Sequence, residues 1–572
     1  MEPNNHKRFI LAVILTICVL FVWQRYYGKP KEYEYNAQLA TYQKQKQAFE
    51  KKRQALEAKK ATSPATAAVA RRIPIKTPSV QGSITLQGAR LDDLLLLDYK
   101  RTGPTDTQSV ELLSPADKEF IYFAEFGWIS NDKNITVPTA STIWSSSDTE
   151  LSPEHPITLH WKNDAGIRFT IDLAVDNHYL FTVTKSITNT SNQPISVASY
   201  GIINRNHVFA GDAKELIIHS GPLAVHNGVL SEYSFDKMQK NPKVSFTGST
   251  GWIGFTDKYW FTSIIPDQNT PVNTNISYYV RDLKERYQAD YTGPDTMIAP
   301  GAESTDTVRF FAGAKQVSLL DAYAKQFNIP LFDRAVDFGW LYFITKPIFL
   351  ALTYFHTLVG NFGIAILLLT VCIKTLLFPL AYKSYVSMHK MKQFQPQILA
   401  LRERYTDNKL QLNKEIMALY KREKINPASG CLPILIQIPI FFALYRVLLV
   451  TIEMRHAPFF GWIHDLSAPD PTSVFNVFGL LPYNVPPVLQ FGVWPLVMGI
   501  TMYLQQRVNP QPTDPVQAKI FKFFPLIFTF MLYRFPAGLV IYWAWNNTLT
   551  ILQQQLITLR LSRLPKTEAV HG

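Results

Sequence analysis

At 572 residues the chain is too long for one ordinary hydrophobic core, so several domains are expected. Apolar residues make up 47% and mean hydropathy is near zero, which fits a soluble domain joined to a membrane region. The formal charge of +13 sits in short segments beside apolar runs, a placement that suits anionic lipid and excludes DNA as the expected partner. Cys18, Cys372 and Cys431 all lie in or beside apolar runs without ligand spacing, so neither a disulfide framework nor a metal site is expected.

Lys7 and Arg8 precede FILAVILTICVLFVW (9–23), a signal-like segment with no small-residue cleavage site after it. Residues 1–28 therefore read as an uncleaved anchor span. Within 29–80, the stretch 31–60 is rich in Lys, Gln, Glu and Ala and reads as a solvated helix, and 61–80 reads as a linker. From 81 to 330, segments such as GIRFTIDLAV and YLFTVTKSITNTS alternate apolar with polar residues and are punctuated by Asn, Gly, Pro and Asp. That pattern predicts a large all-β domain, a sandwich, outside the membrane.

In the segment 331–360, FGWLYFITKPIFLALTYFHTLVG (338–360) is apolar and aromatic but interrupted by Lys346, Pro347 and His356. An interfacial amphipathic helix is expected there. Five apolar spans follow within 361–560, at 362–382, 431–452, about 488–506, about 520–535 and 537–557. The loop 383–430 holds ten Lys/Arg against four Asp/Glu, whereas 453–487 holds only Arg455. The positive-inside rule then places 383–430 and the tail 561–572 in the cytoplasm, and six crossings return both termini to that side.

Met388, Met391, Phe394, Ile398 and Leu401 recur at helical spacing, as do Leu412, Ile416, Leu419 and Tyr420 beyond a turn at TDNK. A cytoplasmic helical hairpin is expected, with Arg402, Arg404, Lys421 and Arg422 on its basic surface. Its stripes pack on each other in the plain reading. A Met-rich, basic, mobile surface also suits client chains or ribosomal RNA.

Lys374 is the single charge among the 21 residues 362–382. An ammonium at that depth costs roughly 2.5–3.5 kcal/mol on insertion scales. Thr370 lies one turn away on the same face. Gln437 sits between Pro433 and Pro439, and Asn546 and Asn547 lie at the centre of YWAWNNTLTILQQQL. Such groups face either a bundle interior or a wet cavity. Lys374 has two readings, snorkelling to the cytoplasmic end or charging a cavity.

GNFGIAILLLTVCIKTLLFPL, INPASGCLPILIQIPIFFALY, APFFGWIHDLSAPDP and FPAGLVIYWAWNNTLTILQQQL, in that order, resemble the YidC/Oxa/Alb family of membrane-protein insertases. The order of anchor, β-domain and five-span core resembles its Gram-negative form. The resemblance implies a multidomain membrane protein: a polytopic α-helical core with an anchor span, a periplasmic β-supersandwich and a cytoplasmic hairpin. It also implies a hydrophilic groove, open to cytoplasm and lipid, that takes nascent membrane proteins and releases them laterally into the inner membrane, alone or with the Sec translocon and the ribosome. No cofactor and no catalytic residue is implied. The family usually carries Arg in the first core span, where this chain has Lys374, which keeps the charge but loses the planar fork. By the same resemblance Ile438, Tyr542 and Trp543 fall where clients are touched. Two other readings compete. A secondary transporter would show repeated, broken helices, and a sugar-binding or sugar-modifying envelope protein would act through the β-domain, whose Asp172, Asp176, Glu215 and Asp236 have no pairing that spacing alone reveals.

Overall fold

The computed structural model describes residues 71–563 apart from 102–106, 116–117, 119, 207–217, 282–283, 406–407, 424–431, 482, 484, 487–489 and 509–514. The expected anchor at 9–23, the charged helix at 31–60 and the tail from 564 lie outside the described residues.

The β-domain begins earlier than its composition suggests. Strand β1 (Arg72–Lys76) lies within the segment read as linker, and strand β2 (Val80–Thr85) starts at its last residue. RIPIK alternates, and its Ile73 and Ile75 are fully buried, so five residues suffice to seat a strand. There follow β3 (Arg90–Lys100), β4 (Ser109–Leu113), β5 (Tyr122–Ile129), β6 (Ile157–Lys162), β7 (Arg168–Val175), β8 (Leu180–Thr188), β9 (Ile195–Arg205), β10 (Gly221–His226) and β11 (Val229–Glu232). A short helix α1 (Phe235–Lys240) precedes β12 (Lys243–Gly248), β13 (Gly251–Thr256), β14 (Trp260–Ile265), β15 (Val272–Arg281), β16 (Lys284–Thr292), β17 (Thr296–Ile298) and β18 (Glu303–Ala314).

These strands form two sheets. One runs β1-β2-β3-β5-β9-β16-β15-β12, with β4 on β3 and β17 on β9; the other runs β11-β10-β13-β14-β18-β8-β7-β6. Register follows the pleat. In β7, Phe169, Ile171, Leu173 and Val175 are buried while the alternate positions are not. Rings from the two sheets meet edge to face, Phe126 with Phe310 at 5.8 Å and Trp128 with Phe169 at 5.2 Å, so the sheets pack as a sandwich. β13 and β14 are buried on both faces. Their outer face is covered by Phe332, 5.7 Å from Trp252 and 5.6 Å from Phe261, in a turn after helix α2 (Val317–Gln326). Arg205 of β9 crosses the core to Asp257 at 2.9 Å, both essentially unexposed, so this buried charge is paired.

Contacts from Arg446, Glu453 and Arg455 reach the sandwich and the chain that leaves it. Arg446 donates to both carboxylate oxygens of Asp337 at 3.1 Å. Glu453 accepts the Val317 amide at 3.1 Å, at the start of α2. Arg455 lies 5.6 Å from the Tyr259 ring and 5.3 Å from the Trp260 ring, and it donates to the carbonyls of Lys100 and Arg101.

Helix α3 (Tyr342–Val359) contains Pro347, and its Lys346 is held by Asp321 at 2.7 Å and Asp333 at 2.8 Å. Next come α4 (Phe362–Leu376) and α5 (Phe378–Gln393). The sequence suggests one straight segment over 362–382, but the chain bends by 65° at Leu377. Pro379, in the first turn of α5, has no N–H to continue the ladder of α4 and clashes with the carbonyl four residues back. A similar break at Phe394, just before Pro396, separates α5 from α6 (Gln395–Arg404), so the Met388–Leu401 stripe lies on two helices rather than one. Then follow α7 (Lys409–Arg422), α8 (Leu432–Val450), α9 (Val493–Val508), α10 (Pro515–Leu532) and α11 (Ala537–Arg563). Among the described residues no single helix is long and apolar enough to cross a membrane by itself, and the bent pair α4–α5 meets that test together. Helix α11 packs on α9, α4 and α5, and α3 packs on α4 and α8.

Candidate functional site

Asn361 starts α4 by accepting the Ile364 amide at 3.0 Å. Gly363 follows, where an added Cβ would meet the Phe459 ring at 2.0 Å, so only glycine lets the segment around Phe459 approach this helix. From that start, Thr370, Ile373, Lys374 and Leu377 fall on one stripe. On α11, Tyr542, Asn546, Thr550 and Gln553 fall on another, at spacings of four, four and three. The two stripes face each other. Trp545 Nε1 donates to the Leu367 carbonyl at 3.2 Å, and Gln553 Nε2 reaches the Lys374 carbonyl at 3.4 Å.

Between them lies a cavity of about 80 Å³, lined on its other sides by Ser384 and Tyr385 of α5, Ile436, Gln437 and Ile440 of α8, and Gln505 of α9. Lys374 Nζ donates to Thr550 Oγ1 at 2.7 Å, and Thr550 donates in turn to the Asn546 carbonyl at 2.7 Å. Thr370 Oγ1 is turned back onto the Ile366 carbonyl. Among the described residues no Asp or Glu lines the cavity, and the formal charge that they give it is the ammonium. The surface thus offers amide, hydroxyl and ammonium groups to whatever enters, in a setting where a positive field is poorly screened. A space of this size holds several waters, each needing polar partners of the kind present.

Two stretches of the chain match known families. Residues 72–351 match the YidC periplasmic domain, and residues 354–563 match the 60Kd inner membrane protein family. The membrane protein insertase YidC of Rickettsia bellii is 49% identical over 97% of this chain and 99% of its own length.

The chain belongs to the YidC family.

The YidC insertase of Rickettsia rickettsii (strain Iowa) is 48% identical over the same shares. A crystal structure of an active YidC insertase with its first transmembrane domain resolved aligns over 86% of this chain and 94% of that one, with 18% identity and a TM-score of 0.35.

Within this YidC-family chain, the cavity gathers Lys374, Thr370, Gln437, Tyr542 and Asn546. It does not gather three other residues singled out in the sequence. Asn547 faces α9 and donates to Thr501 Oγ1 at 3.3 Å. Trp543 packs between Phe441 at 4.5 Å and Phe528 at 4.9 Å. Ile438 is exposed on the outside of α8. Each of the three is one position along its helix from a lining residue, and the step of about 100° turns it onto other neighbours, whereas in Ile373–Lys374, Ser384–Tyr385 and Ile436–Gln437 both members reach the cavity. Thr550, Gln553, Ser384 and Gln505 line the cavity and were missed. For Thr550 and Gln553 the signal was the helical spacing from Tyr542.

Met388 packs against the pair Tyr385 and Ile557, of which Tyr385 also lines the cavity, and Met391 is partly exposed on the same helix. Ile398 and Leu419 are buried, while Arg404, Lys421 and Arg422 are exposed and Arg402 is partly covered. Arg422 pairs with the adjacent Glu423 at 2.9 Å.

Proposed function

We propose that this chain inserts membrane proteins into the inner membrane through the cavity between α4, α8 and α11. The observation that carries the reading is the Lys374 ammonium, held by a threonine hydroxyl in a pocket of mixed polar and apolar lining with no carboxylate among the described residues. An ion pair would neutralise the site. A hydroxyl leaves its field available to an acidic or polar client segment.

In this reading α4–α5, α8, α9, α10 and α11 make the five crossings of the core, with a further crossing by the anchor. The β-domain is periplasmic, and α6, α7 and both termini are cytoplasmic. A nascent client's polar tail enters from the cytoplasm, drawn by the charge. Its apolar segment moves sideways into lipid, and the tail is released outside. Client burial in lipid drives the process, aided by the membrane potential at about 2.3 kcal/mol per charge per 100 mV. Ribosomes, the Sec translocon and anionic lipids meet the basic cytoplasmic surface of α6 and α7. Depletion of the protein, followed by protease accessibility of newly made small membrane proteins, tests the function. Loss of tail exposure supports it, and unchanged insertion of every client defeats it.

A further inference from the structure

Between Pro471 and Gln506 the chain carries no Asp, Glu, Lys or Arg, yet α9 uses only the last part of that stretch. The rest includes a knot of irregular backbone whose side chains point outward. Phe475, Val477, Phe478, Leu480, Leu481 and Tyr483 are all exposed, Leu480 at 80%. A patch of this kind on a water-facing loop is exceptional. Val477 and Phe478 both take left-handed backbone, at φ 50° and 59°, a conformation that β-branched and aromatic residues avoid.

The knot is nevertheless well tied. The Phe478 amide donates to the Ser473 carbonyl at 2.8 Å, Leu481 to Asn476 at 3.1 Å and Val474 to Phe491 at 2.9 Å, while the Tyr483 hydroxyl donates to the Phe475 carbonyl. Strain at two residues is thus retained in a fold that turns apolar side chains out and satisfies much of its backbone polarity inward. Those are the two requirements for an irregular segment in contact with acyl chains.

Its neighbours say what covers it. Phe475 meets Phe491 at 6.4 Å, and Phe491 meets Phe530 of α10 at 5.7 Å. On α10, Phe523, Leu526, Ile527 and Phe530 are exposed, forming an apolar face continuous with the knot. We infer that residues 475–481 and Tyr483 form a lipid-docking wedge, seated at the boundary between headgroups and acyl chains of the outer leaflet. The inference rests on the reading of α10 as a lipid-facing crossing helix. Irregular backbone belongs at that boundary and not deeper, about 5–10 Å into it. The wedge would fix the depth of α9 and α10 on the side where client tails emerge.

The test is site-directed spin labelling of the full chain, with Cys18, Cys372 and Cys431 replaced by serine, in phosphatidylethanolamine–phosphatidylglycerol vesicles. Leu480→Cys carries the label, Leu481→Cys repeats it, Leu526→Cys reports α10, and Lys133→Cys, exposed on the β-domain, reports water. Relaxation by oxygen should exceed that by a soluble nickel chelate several-fold at 480, 481 and 526, with the reverse at 133. Water-like values at 480 and 481 with lipid-like values at 526 overturn the wedge alone. Water-like values at 526 as well overturn the reading of α10 with it. Protection from both reagents at 480 and 481 indicates a protein cover and also overturns the proposal.

Discussion

Lys374 Nζ lies 2.7 Å from Thr550 Oγ1, across the interface between the first and last helices of the core, and the Thr550 hydroxyl donates its own hydrogen bond to the carbonyl of Asn546. The ammonium is therefore positioned by a neutral group that fixes its location without cancelling its charge. Charge and position become separable by mutation.

Lys374→Arg keeps the charge, so insertion is expected to stay near normal. Lys374→Ala removes it and should impair clients with acidic translocated tails more than neutral ones, and Lys374→Glu should be worst for acidic tails because like charges repel in a poorly screened pocket. The readout is the fraction of each tail exposed across the membrane. Equal effects on both tails would leave Lys374 as a helix anchor only.

Thr550→Val removes the hydroxyl and keeps the shape. A lost hydrogen bond to a charged group costs about 1.5–3 kcal/mol when the group stays buried. The thermal midpoint in detergent should fall, and the preference for acidic tails should weaken without vanishing, because the charge remains. Thr550→Ser should restore both.

Glu453 predicts a pH dependence at the joint with the β-domain. Burial pushes its carboxyl up to about 7, and Oε2 is buried without a hydrogen-bond partner among the described residues. The unfolded group titrates near 4.5. The folded state therefore binds more protons between those values, and stability rises as pH falls through 7 toward 4.5. Burial lowers His219 to about 4, which acts in the opposite sense below its unfolded value of 6.5. Glu453→Gln isolates the first effect. It should raise the unfolding midpoint at pH 8 and gain little at pH 5, and thermal unfolding across that range measures the difference. An equal gain at both values would place the effect in packing, not ionisation.

The β-domain should be dispensable for inserting a single-span client, since the cavity draws none of its walls from it. A deletion of 72–316 that keeps α2 preserves the pairing of Lys346 with Asp321 and Asp333. Insertion by this variant should stay within a few-fold of normal. Complete loss in a membrane-inserted product would point to function in the β-domain.

Replacing 396–418 with a short flexible linker should slow client handover while the remaining helices still assemble. Protease accessibility of a client over time, with a limited-proteolysis check of the core, separates the two. A normal rate would reduce α6 and α7 to a basic surface patch.

Much of this protein is determined locally, by period and composition. Alternation at 168–175 specifies a half-buried strand, and the isolated Lys374 marks where an apolar segment departs from lipid chemistry, whereas the stops at Pro379 and Pro396 were hidden by the apolar run 362–382 and by the helical spacing of 388–401. The order of motifs was sufficient to indicate the family. Partnership across the fold was not legible, because it depends on helical phase and on which faces pack. Asn546 and Asn547 are adjacent on α11, yet one lines the cavity and the other bonds to Thr501 of α9, and composition cannot distinguish them. Thr550 gains its role only because α4 is set against α11. Glu453 and Arg455 lie in the segment 453–487, which the sequence marks only by its low positive charge, yet they hold Val317 and the Lys100–Arg101 carbonyls more than a hundred residues away. Side-chain identity sets what each group can donate, accept or charge. Only the tertiary structure decides what stands opposite it, since that follows from packing the apolar faces of distant elements together.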